Sequence, residues 1–260
     1  AGAFGPTQFM PTAFKRYATR DAAACMGTRL KFADIDRLSL QLAAWLQSKG
    51  LAPGARVALM MPNLPQYMGA IAAVLRAGYA VVNVNPLYTP RELAHQLKDS
   101  GAEAIVILEN FAVTLEEVID DTPIKHVVLA SVGELLGPFY GRWITFAVRH
   151  LKRAVPEFSL PLEGGRTVTS FNAACAAGAA MSFRRAPLSS NDVAFLQYTG
   201  GTTGVSKGAT LLHRNVVANI LQTEEWFKPM LNKVQGQQIT IVCALPLYHI
   251  FALTICYLMG

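Results

Sequence analysis

Charged side chains are scarce in this 260-residue chain, in which lysine, arginine, aspartate and glutamate together make up 15% of the residues. An average soluble domain carries about 25%. Apolar residues reach 52%, so the composition excludes an intrinsically disordered chain. The length allows one large α/β domain or two small ones, and either buries enough apolar surface to fold without disulfides or metals.

Cysteine is also sparse, and its spacing indicates free thiols. No CxxC pair occurs, and most of the cysteines stand in apolar surroundings, where a thiol behaves as a small hydrophobe. Residues 1–11 lack the basic segment, apolar core and cleavage site of a signal peptide. We therefore expect a cytoplasmic protein, and we predict no metal site built from its side chains. The cysteines are Cys25, Cys175, Cys243 and Cys256.

Acidic residues are fewer than basic ones, 17 against 23, which leaves a net charge of +6. This balance favours anionic partners such as nucleotide phosphates, acidic lipid or nucleic acid. The basic residues are dispersed, and no stacking-platform motif accompanies them. We therefore do not expect nucleic acid to be the partner.

Short runs rich in valine, isoleucine and leucine are separated by segments of helical length. This alternation is typical of parallel strands joined by crossover helices. The chain is therefore predicted to have an α/β fold, with parallel sheets flanked by helices. The predicted strands are 57–61, 80–84, 104–108 and 126–130.

Two of the helices have clear boundaries. Apolar residues at helical spacing predict a helix over 34–48, which Gly50 would end in a left-handed conformation. The second helix opens at Thr89, where a proline follows and Glu92 can complete a capping box, and it closes at Gly101.

The segment 131–190 loses this alternation and carries several glycines and prolines, so we predict a less regular insertion within the domain. Part of it has the pattern of a basic amphipathic helix. The preferred interpretation is a helix that packs its apolar face on its own domain, and the alternative is peripheral contact with an anionic membrane. Its apolar positions are Trp143, Phe146, Ala147, Leu151 and Ala154, and its basic ones are Arg142, Arg149, Lys152 and Arg153.

The run 239–260 contains no formal charge and has the length to cross a bilayer in principle. Pro246 and His249 at its centre, and the absence of a nearby basic flank, argue against a membrane span. We predict instead a buried strand over 239–245, a Pro-Leu-Tyr-His turn and the start of a core helix. Because the chain stops within this uncharged run, we also expect a fragment.

A loop rich in glycine, threonine and lysine follows a predicted strand over 192–198. Glycines let backbone N–H groups approach a polyphosphate closely, and the hydroxyls add donors. Lys207 adds a point charge that can follow a moving phosphate group. The loop therefore predicts an ATP phosphate site, with Lys207 and Thr203 as catalytic candidates. It comprises Tyr198, Thr199, Gly200, Gly201, Thr202, Thr203, Gly204, Val205, Ser206, Lys207, Gly208 and Ala209.

This loop is not an ordinary P-loop. The GxxxxGK[ST] pattern requires serine or threonine after the lysine, whereas Lys207 follows Ser206 and precedes Gly208. A GTPase-like interpretation therefore fails. The remaining alternative is a flexible hairpin. It is a poor explanation, because so many positions of the loop carry the residue type that a phosphate site requires.

The loop sequence Tyr-Thr-Gly-Gly-Thr-Thr-Gly-Val-Ser-Lys-Gly-Ala resembles the first signature of the adenylate-forming superfamily of acyl-CoA synthetases, luciferases and peptide-synthetase adenylation domains. Gly200 stands where many members have serine, and Ser206 where many have proline. Neither departure removes the backbone cradle. The stretches 57–63, 81–92 and 244–253 extend the resemblance, which is most like bacterial long-chain fatty acid–CoA ligases.

The resemblance implies that two half-reactions share one site. A fatty acid attacks the α-phosphate of ATP to give an acyl-adenylate and pyrophosphate, and the thiol of coenzyme A then displaces AMP. The loop would hold the β- and γ-phosphates with Mg²⁺, while Lys207 offsets charge on pyrophosphate. His249 matches a position that borders the acyl and adenylate pocket in relatives, which makes it the third catalytic candidate, and Tyr248 and Phe251 are expected to line the same pocket.

Residue type alone leaves several roles open. A lone histidine in an apolar run, such as His249, is more often a satisfied core residue, and Tyr248 and Phe251 either line an acyl tunnel or fill the core. His213 and Asn215 are expected to cap a helix over 216–227 rather than to catalyse. Asn83, Asn85 and Tyr88 lie at a strand end and serve either a turn or a ligand.

Relatives also carry a Tyr-Gly-x-Thr-Glu motif, a ribose-binding aspartate, a hinge and a mobile C-terminal domain, none of which occurs before Gly260. The resemblance therefore implies the N-terminal part of the large adenylate-forming domain, with little or no activity alone. Two alternatives stay open: a ligase of aryl or shorter acids, and a non-catalytic, membrane-associated lipid-binding protein. The sequence also leaves open a homodimer and the acyl chain length.

Overall fold

The computed structural model describes residues 6–199, 206–234 and 237–259 of the chain. Strands and helices alternate along most of it. The strands are β1 (Asp21–Cys25), β2 (Thr28–Lys31), β3 (Arg56–Met60), β4 (Ala80–Asn83), β5 (Ala102–Leu108), β6 (His126–Ala130), β7 (Thr167–Ser170), β8 (Val193–Thr199) and β9 (Lys207–Leu212). The helices are α1 (Pro6–Arg16), α2 (Phe32–Gln47), α3 (Pro65–Ala77), α4 (Pro90–Ser100), α5 (Ala112–Glu116), α6 (Pro138–Phe146), α7 (Phe171–Ala179), α8 (His213–Leu231) and α9 (Ile250–Ala252).

A seven-stranded sheet forms the centre of the described structure, in the order β7-β6-β5-β3-β4-β8-β9. Neighbouring strands run parallel except for β8 and β9, which are antiparallel. The smaller sheet is the antiparallel pair of β1 and β2. The predicted α/β class with parallel strands is therefore confirmed.

Both faces of the large sheet are covered, as the uninterrupted apolar runs of its strands predict. Successive residues of a strand point to opposite faces, so Val57 and Leu59 join one core while Ala58 and Met60 join the other. Helices α2, α3 and α7 contribute to the first core, and α4 and α5 contribute to the second. The sheet is thus the middle layer of a three-layer arrangement.

The predicted helix boundaries hold where the capping chemistry is explicit. Thr89 Oγ1 accepts from the Glu92 backbone N–H at 3.4 Å, and a Glu92 carboxylate oxygen accepts from the Thr89 N–H at 2.8 Å. Gly101 ends α4 with a φ of +63°. The helix predicted over 34–48 is α2, and Gly50 follows it with a φ of +71°.

Residues 131–190 are more regular than we predicted. They contain α6, β7 and α7, and β7 pairs in parallel with β6 at the edge of the sheet. The short sequence Thr-Val-Thr-Ser lacks the apolar run of an interior strand, because an edge strand has only one neighbour. The strand–helix alternation therefore continues through 167–179.

The buried strand expected over 239–245 is not present, which corrects that prediction. No strand pairing involves these residues in the described structure, and Val242 is 83% exposed. The predicted turn and helix do follow, since Leu247 and Tyr248 form a turn before α9 begins at Ile250. None of the described helices has the length and hydropathy needed to cross a bilayer.

Candidate nucleotide and acyl site

The glycine-rich loop joins the antiparallel strands β8 and β9. Thr199 lies opposite Lys207, and Tyr198 lies opposite Gly208. The structure therefore places both flanks of the loop at the carboxyl end of β8, where open parallel sheets bind ligands. Six predicted members lie outside the described residues: Gly200, Gly201, Thr202, Thr203, Gly204 and Val205.

Helix α4 contacts both flanks of this loop. At the first flank, the Tyr198 hydroxyl donates a hydrogen bond to the Asp99 carboxylate. At the second flank, His95 Nε2 lies 3.2 Å from the Ser206 carbonyl oxygen. Because His95 and Asp99 are four residues apart, they share one face of α4. The sequence did not predict a role for either residue. A helical pattern shows which residues share a face of α4, but it does not show which distant segment that face contacts.

Tyr198 is held by packing as well as by hydrogen bonding. Burial raises the pKa of Tyr198, as do the hydrogen bond to Asp99 and its negative charge, so the hydroxyl stays protonated and can donate. A Cβ atom added at Gly208 would lie 2.9 Å from the Tyr198 ring. Glycine at 208 is therefore explained by this contact within the hairpin.

Lys207 is exposed at the first position of β9. Within the described ranges it has no salt-bridge partner, so its ammonium group is available to an anion. Ser206 and Ala209 flank this position along the chain. An exposed cation beside backbone N–H groups and hydroxyls is suited to a polyphosphate.

The turn that carries Tyr248 and His249 lies beside β8. Gln197 Nε2 donates to the Tyr248 carbonyl oxygen at 2.6 Å. His249 is exposed, and its Nδ1 accepts from the Phe251 N–H at 3.4 Å, which caps α9. Phe251 is 57% exposed. Neither His249 nor Phe251 is a core residue in this structure.

Tyr88 connects the loop to this turn. Its side chain is half-buried and has Ser206 as a hydrogen-bond partner. Burial raises the pKa of Tyr88, and the neighbouring Glu92 and Tyr248 add to that effect. The end of the loop and the Tyr248 turn therefore share one neighbourhood.

The two residues expected to cap the helix after β9 have different roles. Asn215 Oδ1 accepts from the Leu212 N–H at 2.9 Å, so Asn215 caps α8 as predicted. His213 is the first residue of α8 and is only 1% exposed, and neither ring nitrogen has a partner among the described groups. Burial lowers the pKa of His213, so its ring is neutral. His213 is therefore not a cap, which corrects half of the prediction.

Comparison with known proteins identifies the family. The family model described as AMP-binding enzyme matches residues 11–260. This chain belongs to that family. The long-chain-fatty-acid–CoA ligase of Escherichia coli O157:H7 is 51% identical over 92% of the chain, and that of Bacillus subtilis is 32% identical over 92% of the chain. The chain spans only 42% and 41% of these two relatives, respectively.

A solved structure supports the fold. The crystal structure of a long-chain-fatty-acid–CoA ligase from Archaeoglobus fulgidus matches 99% of the chain and 45% of its own length, with a TM-score of 0.73 and 23% identity. This match confirms the fold class expected from the sequence, a mostly parallel sheet flanked by helices.

Proposed function

We propose that this chain is the N-terminal part of a ligase that activates a long-chain fatty acid with ATP and passes it to coenzyme A. The observation that carries the proposal is the position of Lys207, which lies opposite the end of β8, the strand whose Gln197 side chain holds the Tyr248 turn. The names of the relatives that are half identical to this chain support the same activity.

Both reactants of the first step are anionic, so catalysis must rely on positioning and charge compensation. The acid carboxylate attacks the α-phosphorus of ATP, and the bond to the departing pyrophosphate breaks. Lys207 would offset the charge that develops on pyrophosphate, with the loop N–H groups and hydroxyls holding its oxygens. The thiolate of coenzyme A then attacks the acyl carbonyl carbon, and AMP leaves.

The apolar part of the acid would lie along the turn and α9. Tyr248 and Phe251 offer aromatic surface there, and His249 stands between them with its ring turned to the cap of α9. Since His249 Nδ1 is already an acceptor, we assign it a role in lining the pocket.

Magnesium would enter with the nucleotide. No cluster of three or more histidine, cysteine, aspartate or glutamate side chains in the described residues could hold a metal ion. The hydroxyls of the glycine-rich loop would be this chain's contribution to a Mg²⁺ bound with ATP, whose phosphate oxygens are ligands that Mg²⁺ prefers.

Hydroxamate trapping with the complete protein that contains this chain tests the activity. Acetate, octanoate, palmitate and 4-coumarate would be compared with and without ATP. We expect ATP-dependent product to be greatest with palmitate. Greatest product with 4-coumarate or a short acid would support the alternative ligase, and no acid-dependent product would refute the proposal.

We also propose that the protein is cytoplasmic and contacts the inner face of an anionic membrane through residues 138–153. Sequence analysis favoured a helix packed on its own domain, but α6 buries only Gly141 and Ile144. Exposed cations accompany the apolar face, and this charge complements anionic lipid. The exposed side chains are Phe139 (87%), Tyr140 (46%), Trp143 (58%), Phe146 (53%) and Leu151 (67%).

One basic residue of this segment has a structural role instead. Arg149 pairs with Glu109, which is 2% exposed, so Arg149 holds the segment against the sheet. Gly133 and Gly141 approach each other so closely that a Cβ atom added to either residue would clash with the carbonyl oxygen of the other. Lys152 and Arg153, which are exposed, are therefore the cations to change in a binding test.

Vesicle flotation of the complete protein tests this contact. Vesicles of phosphatidylglycerol and phosphatidylethanolamine should bind it, whereas phosphatidylcholine vesicles should bind it weakly. Trp143→Ala with Phe146→Ala, or Lys152→Glu with Arg153→Glu, should reduce binding severalfold, while Arg184→Glu with Arg185→Glu serves as the exposed control. Equal binding by all variants would remove the segment from consideration, and loss in the control would indicate non-specific charge attraction.

A further inference from the structure

A buried hydrogen-bond network joins β4 to β8 beneath the candidate site. Asn83 and Gln197 lie opposite each other on these strands and are 3% and 5% exposed. Tyr67 donates to Asn83 Oδ1 at 2.9 Å, and Asn83 Nδ2 donates to Gln197 Oε1 at 3.0 Å. Gln96 Nε2 also donates to the Asn83 carbonyl oxygen at 2.8 Å. Asn83 is therefore fixed from three sides, and it orients the Gln197 amide.

The orientation of Gln197 decides what its remaining polar group can reach. With Oε1 occupied by Asn83, Nε2 points to the Tyr248 carbonyl oxygen at 2.6 Å. The next residue, Tyr198, is fixed by Asp99. The end of β8 thus holds the Tyr248 turn on one side and the start of the glycine-rich loop on the other.

Asn63 holds the same turn from the opposite end. Its Nδ2 donates to the carbonyl oxygens of Cys243 and Leu245, both at 2.9 Å, and its Oδ1 accepts from the Leu247 N–H at 2.7 Å. The chain over 239–245 has no strand neighbour in the described structure. Side-chain hydrogen bonds therefore replace the ladder that would otherwise fix it.

We propose that Asn63 and Gln197 are positioning residues that set the place of Tyr248 and His249 relative to the loop bearing Lys207. Asn63 fixes the backbone before the turn, and Gln197 fixes the carbonyl group within it. The consequence for catalysis rests on the proposed ligase function, whereas the consequence for the local structure does not. The two residues would act on the acyl side of the site through the backbone, without contacting the phosphates.

Hydrogen exchange measures the structural part in the complete protein. Asn63→Ala removes the acceptor of the Leu247 N–H, so exchange in the peptide covering 243–249 should accelerate by roughly tenfold while the sheet strands keep their protection. Gln238→Ala is the matched control, because that exposed amide donates to the Asp21 carbonyl oxygen instead. Unchanged exchange over 243–249 in a folded Asn63→Ala variant would overturn the proposal.

The second exchange experiment also changes Asn63, because a change at Gln197 puts folding at risk. Gln197→Met leaves Asn83 Nδ2 without its acceptor in a buried place, so it can unfold the protein. Asn63→Asp keeps the acceptor for the Leu247 N–H but places a carboxylate oxygen against the Cys243 and Leu245 carbonyl oxygens, so it tests the two donor bonds separately. Its exchange over 243–249 should be faster than that of the wild-type protein. Exchange equal to that of Gln238→Ala would contradict the role of the donor bonds.

Steady-state kinetics measures the catalytic part. In the complete protein with palmitate, Asn63→Ala should raise KM for the acid by roughly tenfold and leave KM for ATP within about twofold. Equal changes in both constants would indicate a general structural role and overturn the positioning assignment. If the wild-type protein shows no acid-dependent activity, the proposed function fails, and the exchange experiment still decides the structural part.

Discussion

Lys207 is the residue on which the proposed chemistry depends most. It lies opposite Thr199 at the end of the glycine-rich loop and is exposed. A lysine is a compact charge on a flexible stem, so it can follow pyrophosphate as that group separates from the α-phosphorus. The neighbouring Gly208 serves a different purpose, because its missing side chain admits the Tyr198 ring.

Replacing Lys207 with glutamine should slow acyl-adenylate formation by the complete protein by about a hundredfold or more, because a charge that stabilises the transition state is lost. Palmitate-dependent exchange of pyrophosphate into ATP measures this step. Lys228→Gln is the control, since Lys228 is an exposed lysine paired with Glu225 on α8. A Lys207→Gln variant with the exchange rate of the control would exclude this role.

Gly208→Ala should destabilise the protein by about 1–3 kcal/mol, because the added Cβ atom would meet the Tyr198 ring at 2.9 Å. Denaturant unfolding gives the free energy. Gly69→Ala in α3 is the control, where the added atom makes only an ordinary contact of 3.6 Å with the Leu38 Cβ. That control should be neutral or stabilising, because alanine favours a helix. Equal stability of the two variants would contradict the packing role.

At the scale of elements, helix α4 organises the site. Its capping box fixes where it begins, and one of its faces then presents His95 and Asp99 to opposite flanks of the loop. A second junction lies between β6 and α6, where Glu134 accepts from the Ser131 N–H and the Glu109–Arg149 pair holds the exposed aromatic segment. A few polar contacts thus fix the positions of α4 and of the segment that contains α6 on the apolar sheet.

The junction at Glu134 should make stability depend on pH. Burial raises the pKa of Glu134 to about 7, and nearby Glu109 adds to this, while the Ser131 and Asn172 N–H groups and Arg149 oppose it. A raised carboxyl pKa means that the folded state binds the proton more tightly than the unfolded state. The contribution of Glu134 to stability is therefore greatest below its unfolded pKa and is lost as pH rises through about 7.

Glu134→Gln should remove this dependence while keeping an acceptor for the Ser131 N–H. Unfolding free energies measured between about pH 5 and pH 8 should fall less steeply in this variant than in the wild-type protein. Glu117→Gln, at an exposed carboxylate, should leave the slope unchanged. If the unfolding free energy of Glu134→Gln falls with pH as steeply as that of the wild-type protein, another group is responsible for the pH dependence.

At the scale of the whole molecule, the chain provides one wall of the proposed site. It covers 42% of the length of the ligase of Escherichia coli O157:H7, and Lys207, His249 and Phe251 are exposed. Positioning of two anionic reactants needs groups on several sides. The isolated chain should therefore be a poor catalyst even where it binds ATP.

The 260-residue chain alone should give palmitate-dependent exchange of pyrophosphate into ATP at least about a hundredfold below that of the complete protein. Both proteins would be assayed at equal molar concentration, with circular dichroism to show that the chain is folded. Robust exchange by the folded chain would show that these residues form a sufficient active site.

The sequence by itself determined the features that depend on neighbouring residues. Apolar runs predicted the parallel strands, the Thr89 capping box predicted where α4 begins, and the loop motif led to the family. These signals are local, since periodicity, capping and turn chemistry act over a few residues. The same local signals failed at 239–245, where an apolar run without a strand partner stays exposed.

Only the tertiary structure decided which distant residues meet. His95 and Asp99 lie about a hundred positions from Ser206 and Tyr198, and Asn63 is still farther from Leu247. The exposure of Trp143 likewise depends on which face of α6 the sheet covers. The physical reason is that such contacts follow from strand order and helix placement, so no local pattern records them.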